Sequence, residues 1–214
     1  MTDALIANLH SSKKSDWQTP PDVIERARRV MGGIDLDPAS SKAANKTIKA
    51  RHFFTEQSNA FAFDWHGRVW LNCPFGFAWA KTGLPTGTST RAKGSVSSIE
   101  LWVAKLIFEF LGGNLTQACL LVTNGTDAGW CQWLRRFPIC LPEGRLQFLD
   151  ANGVPARQNT KGSLIAGLGV DEDRFYDAFG PLGRICDAEH RGVRRRQARH
   201  LKEMRKVLSG LEVG

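Results

Sequence analysis

The sequence predicts an α/β fold, an open sheet flanked by helices, and three observations carry that reading. Val69-Trp70-Leu71 is an apolar run that ends in Asn72-Cys73-Pro74, a buried strand stopped by a proline that cannot continue a ladder. Ile99, Trp102, Val103, Leu106, Ile107 and Phe110 recur at helical spacing, Gly112-Gly113 stop them, and Ala118 to Val122 follow as a second buried strand. Val23, Ile24, Ala27, Val30 and Met31 form another helical stripe, which Gly32-Gly33 ends before the short apolar run at Ile34 to Leu36.

The whole chain is long enough for such a fold. Its 214 residues are 42% hydrophobic and 23% charged, which suits one globular domain with a sizeable core and terminal extras. The expected organisation is a flexible N-terminus over residues 1–15, a main domain over 16–186 and a basic helical tail over 187–214. Lys and Arg number 29 against 21 Asp and Glu, a net +8, and an excess of that size suits a polyanionic partner such as nucleic acid. No run approaches the ~18 unbroken apolar residues of a membrane span, and Met1 to Lys14 lack the apolar core of a signal peptide. Five cysteines without a Cys-x-x-Cys pair point to a reducing cytosol rather than a disulfide frame. Five scattered histidines have no metal-site spacing, so no metal is expected.

Taken in order, Asp16-Trp17-Gln18-Thr19-Pro20-Pro21 opens the first helix, since prolines suit a first helical turn. Trp17 is either a core plug or a ligand-side aromatic, and Thr19 either an N-cap or a binding residue. In Ile34 to Ser41 a short strand is expected to lead through a turn into a helix, with Asp37 as N-cap and Pro38 at the first helical position. Such a helix start could hold a carboxylate on its free N–H groups; a plain capped helix fits the same residues. Thr55 to Asn59 is turn-rich. Asp64 stands just before the central strand, as a ligand acceptor or a solvated turn acid.

Residues 76–98 are rich in Gly, Ser and Thr. They read as a mobile loop, too long and polar for a plain connector, which either closes over a ligand to read it or is simply solvated. Thr126 to Trp130 is expected to start a short helix, with Asp127 as its cap and Trp130 in the core. Gly144 to Leu149 reads as a strand, Asp150 to Gly153 as a turn and Ser163 to Leu168 as the returning strand. Arg145 could meet a phosphate or form a structural ion pair. In the tail, eight Lys and Arg face four acids, a net +4 and half the chain's excess. Leu201, Met204, Leu208 and Leu211 form a narrow apolar seam there, which could dock on the domain, pair with another chain or leave the helix along DNA phosphates.

The junction at Asn72 carries the chemistry. A strand that ends there delivers the side chain to the carboxyl edge of the sheet, where open α/β sheets bind ligands. Methyl transfer to an exocyclic amine fits the residue types. An aromatic amine is a poor nucleophile, but a carboxamide oxygen and a main-chain carbonyl can accept its two N–H bonds, orienting the lone pair and absorbing developing charge. Asn72, the Cys73 carbonyl and the stacking ring of Phe75 supply those parts. A Pro-containing turn with Cys73 as a small buried hydrophobe is the plainer alternative. Cys73 as a nucleophile is a third reading.

Asn72-Cys73-Pro74-Phe75 resembles the Asn-Pro-Pro-Tyr/Phe motif of amino-methyltransferases. With Asn59 to Arg68 before it, it is similar to phage-type DNA N6-adenine methyltransferases, the Dam-like family. Trp17-x-Thr19-Pro20, Leu36-Asp37-Pro38-Ala39-Ser40, Thr126-Asp127-x-x-Trp130 and Gly144-Arg145-Leu146-x-Phe148 follow that family's order, so the resemblance spans roughly residues 16–186. It implies a Rossmann-like methyltransferase sheet, S-adenosylmethionine as cofactor, double-stranded DNA as partner, base flipping and a place in the bacterial host cytosol. It carries over Asn72, Cys73, Pro74 and Phe75 as catalytic residues, and Trp17, Thr19, Pro20, Asp37, Pro38, Asn45 and Asp64 as cofactor-binding residues. Two departures stand out. Cys73 replaces the usual Pro and loses its fixed φ but keeps the carbonyl, and Phe75 replaces the frequent Tyr. A protein glutamine N-methyltransferase and a decayed relative that binds without methylating are the alternatives, and self-association through the C-terminal helix is a further expectation.

Overall fold

Pro21 has no N–H to leave unpaired, so helix α1 starts on it and runs Pro21–Met31. It buries Val23, Ile24, Ala27, Val30 and Met31. Gly32 then takes φ 72°, a left-handed C-cap that favours glycine, and the chain turns into the sheet. The computed structural model describes residues 17–55, 58, 60–74, 77–79, 85–88, 95–150, 152–156, 161–187, 202, 204, 205 and 208. The expected flexible N-terminus and Phe75 lie outside the described residues.

Strand β1 is Leu36–Asp37, β2 His52–Phe53 and β3 Gly67–Asn72, with the four-residue helix α2 at Asn45–Ile48 between the first two. Then come β4 (Phe77–Trp79), β5 (Pro85–Thr88), β6 (Ser95–Ser97) and helix α3 (Ser98–Leu111). Strand β7 (Leu115–Thr123), helix α4 (Gly129–Leu134), β8 (Ile139–Pro142), β9 (Ser163–Leu168), helix α5 (Glu172–Phe179) and β10 (Gly183–Cys186) complete the order. The main sheet runs β10-β8-β9-β7-β3-β1-β2. Strands β2, β1, β3 and β7 pair parallel, and β9 lies antiparallel between β7 and β8. This mixed α/β sheet with flanking helices is compatible with a Rossmann-like methyltransferase fold.

The period of two along each strand builds a three-layer core. Val69, Leu71 and Cys73 fall on one side, with Ala118, Leu120, Val122, Leu164 and Ala166, and pack with residues of α3 and α4. Trp70, Cys119, Leu121 and Ile165 fall on the other, with residues of α1 and α5. At ~1.5–3 kcal/mol per fully buried large side chain, fully enclosed Trp70 and Leu71 fix β3 from both faces. A one-residue slip would exchange those faces, so the register of Asn72 is tightly specified.

The amino end of β3 is clamped separately. Arg68 donates to both Asp35 oxygens, at 2.7 Å from Nε and 2.9 Å from the terminal nitrogen, and its backbone N–H adds a third bond at 3.0 Å. Gly67 has φ 75°, and a Cβ there would lie 2.9 Å from the Asp35 carboxylate, so only glycine suits the position. The Arg68 guanidinium holds Asp35 far below its ordinary range, at about 2.

Several expectations are corrected. No helix begins at Pro38: Asp37 accepts the Ala39 N–H at 3.1 Å in a local turn, and α2 starts only at Asn45. Gly144 to Leu149 is not a strand. Leu149 makes isolated bridges to Gln18 and Pro155, which use up its pairing. The turn at Asp150 to Gly153 is present, organised by the Asp150 carboxylate accepting the N–H groups of Asn152 and Val154 at 2.8 and 2.9 Å. Helix α4 is capped at Ala128 without a side-chain bond, so Asp127 is not its cap, while Trp130 does sit in the core. Part of the 76–98 stretch is a three-stranded sheet of order β5-β4-β6, joined antiparallel, rather than loop throughout. Among the elements that the sequence reading left out are β2, β8, α5 and β10. The Asp171 side chain caps α5 by accepting from the Arg174 N–H. In the tail, Met204 is buried in the main core and Leu208 packs against it, so this part of the seam docks on the domain; Leu201 and Leu211 lie outside the described residues.

Candidate active site

Strand β1 lies between β2 and β3. The chain leaves β1 for β2 on one side and returns to β3 on the other. That reversal is a topological switch point, whose carboxyl edge leaves a crevice between diverging connections. Asp37 is the last residue of β1 and Asn72 the last of β3. Leu36 registers with Val69, so Asn72 projects beyond Asp37 along the sheet edge.

A further partner comes from the segment that precedes α1. Gln18 and Leu149 exchange backbone hydrogen bonds at 2.8 and 3.0 Å, and the Trp17 ring packs 6.0 Å from that of Phe148. This seats Thr19, 6% exposed, against the sheet. The Asn72 Nδ2 donates to Thr19 Oγ1 at 3.1 Å. Thr19 does not cap α1, whose N-cap Pro20 makes no side-chain bond. Of the residues expected from sequence, Thr19 and Asn72 are therefore brought together, with Trp17 and Pro20 holding the segment that carries Thr19.

Asp37 is 1% exposed, and burial pushes its carboxyl up to about 7, although the Ser40 hydroxyl and the Ala39 amide pull the other way. Moving a charge out of water is what raises it. The turn after it is stapled to the end of β2: Phe54 N–H donates to the Asp37 carbonyl at 3.0 Å, and Ser40 N–H to the Phe54 carbonyl at 2.9 Å. Phe54 stacks on Phe63 at 5.1 Å and 17°, leaving Phe63 53% exposed beside this edge. Sequence reasoning missed this pair. Its one signal was an aromatic placed just past a short strand.

Other expected residues fall differently. Both ends of the Asn45 carboxamide are committed to Ala50, accepting its N–H at 2.9 Å and donating to its carbonyl at 3.3 Å, so Asn45 shapes the loop. Pro38 lies in the turn after Asp37, Pro74 is exposed and Asp64 is exposed before the buried Trp65. Cys73 is 2% exposed in the core, and burial pushes its thiol up to about 12. Burial in an apolar core disfavours the thiolate that a nucleophile needs. All five cysteines are free. Among the described residues, no group of three or more His, Cys, Asp or Glu could hold a metal, and no helix is long and apolar enough to cross a membrane.

Chemically, the edge presents a fixed carboxamide, a buried acid poised between neutral and ionised forms, and an exposed aromatic face. Residues 6–168 match the family model described as DNA N-6-adenine-methyltransferase (Dam). The match covers well over half of the chain, and the chain belongs to that family. Neither the curated proteins nor the solved structures contain a match.

Proposed function

With the chain a member of the Dam family of DNA N-6-adenine methyltransferases, we propose that it transfers a methyl group from S-adenosylmethionine to the N6 amino group of adenine in double-stranded DNA. The observation that carries this reading is Asn72 at the carboxyl end of β3, its carboxamide tied to Thr19 at the switch point of the sheet. The Asn72 oxygen and the Cys73 carbonyl accept the two N–H bonds of the target amine and direct its lone pair outward. Phe75 supplies a face on which the base stacks. Adenine inside a duplex cannot reach such an edge, so the base is flipped out, with unstacking offset by the ring and by phosphate contacts to a chain of net +8.

The residues of the edge fit the cofactor. Buried Asp37 suits a cationic guest, because a neighbouring positive charge would favour its ionised form. The exposed Phe63 face backed by Phe54 suits a flat adenine ring. Trp17, Pro20, Pro38 and Asp64 complete the cofactor side. When bound, S-adenosylmethionine supplies an electrophilic methyl group; the protein holds the acceptor in line and keeps competing water out. The small sheet β5-β4-β6 leaves the catalytic strand directly and is the element we assign to DNA. The setting is a reducing bacterial cytosol.

The test uses S-adenosylmethionine labelled in its methyl group with unmethylated duplex DNA, followed by digestion and separation of nucleosides. Label in N6-methyladenosine is the expected result. Label in a cytosine product, or none in DNA with label instead in a protein glutamine amide, would overturn the assignment. Cofactor binding without any product would identify a decayed site.

A further inference from the structure

We infer that Thr19 is a positioning residue for the Asn72 carboxamide, and so sets which of its two ends meets the target amine. The inference rests on the proposed reading of Asn72 as the acceptor for that amine. An asparagine side chain ends in an oxygen and an NH2 group of nearly equal size, and rotation by half a turn exchanges them. For a residue whose task is to accept a hydrogen bond from an amine, the wrong end is worse than useless, because it sets donor against donor. Backbone pairing cannot make the choice. The register of Asn72 with Leu121 fixes where its Cα lies and leaves the terminal torsion, which is broad for an amide, undetermined.

The bond from Asn72 Nδ2 to Thr19 Oγ1 at 3.1 Å makes that choice. With the NH2 end engaged, the oxygen diverges from Thr19 and is left to accept. A hydroxyl can donate as well as accept; with the NH2 end donating to it, the free oxygen is the end that matches an incoming amine. The hydroxyl is itself well held. Thr19 is 6% exposed, its chain neighbour Gln18 is bridged on both sides to Leu149, and Pro20-Pro21 start the helix that follows. The N-cap of α1 is Pro20, so capping is not the hydroxyl's task. The two residues are 53 positions apart, so no local pattern signals their meeting.

Two substitutions separate this role from packing and from cofactor binding. Thr19→Val keeps the shape and loses the acceptor, whereas Thr19→Ser keeps the acceptor. Thr19→Val should lower kcat for methyl transfer by about 10- to 100-fold, with the KM for S-adenosylmethionine changed less than about threefold, and Thr19→Ser should restore kcat to within about threefold of the parent. A second readout does not depend on turnover. In the full chain, one Nδ2 proton of Asn72 should exchange with solvent about tenfold more slowly than its twin in the parent and in Thr19→Ser, and equally fast in Thr19→Val.

A Thr19→Val defect confined to the cofactor KM would overturn the inference and leave Thr19 on the cofactor. An unchanged kcat, or equal damage from both substitutions, would also overturn it. Should the parent transfer no methyl to adenine, the proposed activity fails by itself, and the exchange measurement still decides the positioning: unprotected Asn72 protons reject it, and protected ones uphold Thr19 as the residue that orients the carboxamide.

Discussion

The amino and carboxyl edges of the paired strands β1 and β3 each hold an aspartate, and the two do opposite work. At the amino end, Asp35 meets the Arg68 fork in three hydrogen bonds and is held at about 2. At the carboxyl edge, Asp37, the last residue of the neighbouring β1, is 1% exposed and is pushed up to about 7. Two carboxylates two positions apart in the chain are thus pushed in opposite directions, and environment alone sets the difference. One stabilises the fold by being ionised. The other disfavours its own ionisation, a cost that makes sense where a cationic guest recovers it. The comparison teaches where stability and function divide between the two edges of the β1–β3 pair.

The largest effect that would break this division concerns turnover. Asn72→Ala should reduce methyl transfer by about a thousandfold or more, the scale of losing an acceptor made only for the transition state, with the cofactor dissociation constant within about threefold. Steady-state rates and calorimetric binding separate the two.

Next comes Asp37. Its folded-state value lies above the unfolded one of 3.8, so its penalty is absent below about pH 4, grows as pH rises toward 7 and then levels off. Asp37→Asn should therefore stabilise the fold more at pH 8 than at pH 4, by an amount on the order of a few kcal/mol, while weakening cofactor binding. Denaturant midpoints at pH 4 and pH 8 check the first part; the parent's binding should also tighten between pH 6 and 8 and the variant's should not.

At the other end the sign reverses. Arg68→Ala should destabilise by about 2–3 kcal/mol, since it strands the Asp35 carboxylate and frees the Met31 carbonyl that Arg68 reaches at 3.3 Å. The Asp35 share is present above pH 4 and lost as pH falls through about 2. After solvent screening it is worth about 1–2 kcal/mol. Acid unfolding of the parent and of Asp35→Asn measures it. The smallest effect sharpens the same contrast: Arg51 approaches Asp35 at 3.4 Å but its side chain is 73% exposed, so Arg51→Ala should cost less than about 0.5 kcal/mol.

What the sequence made legible follows the same line. Strand β3 and its Asn72 end were readable because an apolar run stopped by Pro74 leaves few alternatives. Helices α1 and α3 were readable from helical spacing closed by glycine pairs. The turn after Asp37 was misread, because Asp-Pro looks alike whether it caps a helix or an isolated turn, and only the bonds to Phe54 decide it. Asn45 shows a related effect: its carboxamide is used on Ala50 five residues later, a local event that resemblance alone does not reveal. The Gly144 to Leu149 stretch alternates like a strand, yet its pairing at Leu149 goes to Gln18, a long-range choice. The Thr19–Asn72 bond and the Phe54–Phe63 stack were invisible because both form between segments that only the folded sheet brings together.

The most direct test of the division is to measure, in parallel, the unfolding midpoint and the methyl-transfer rate per folded molecule for Asn72→Ala and Arg68→Ala. The expected pattern is crossed: Asn72→Ala keeps its midpoint and loses its rate, and Arg68→Ala loses midpoint and keeps its rate. If both variants lost rate and stability together, β3 would act as one unit, and the separation of its two ends would be wrong.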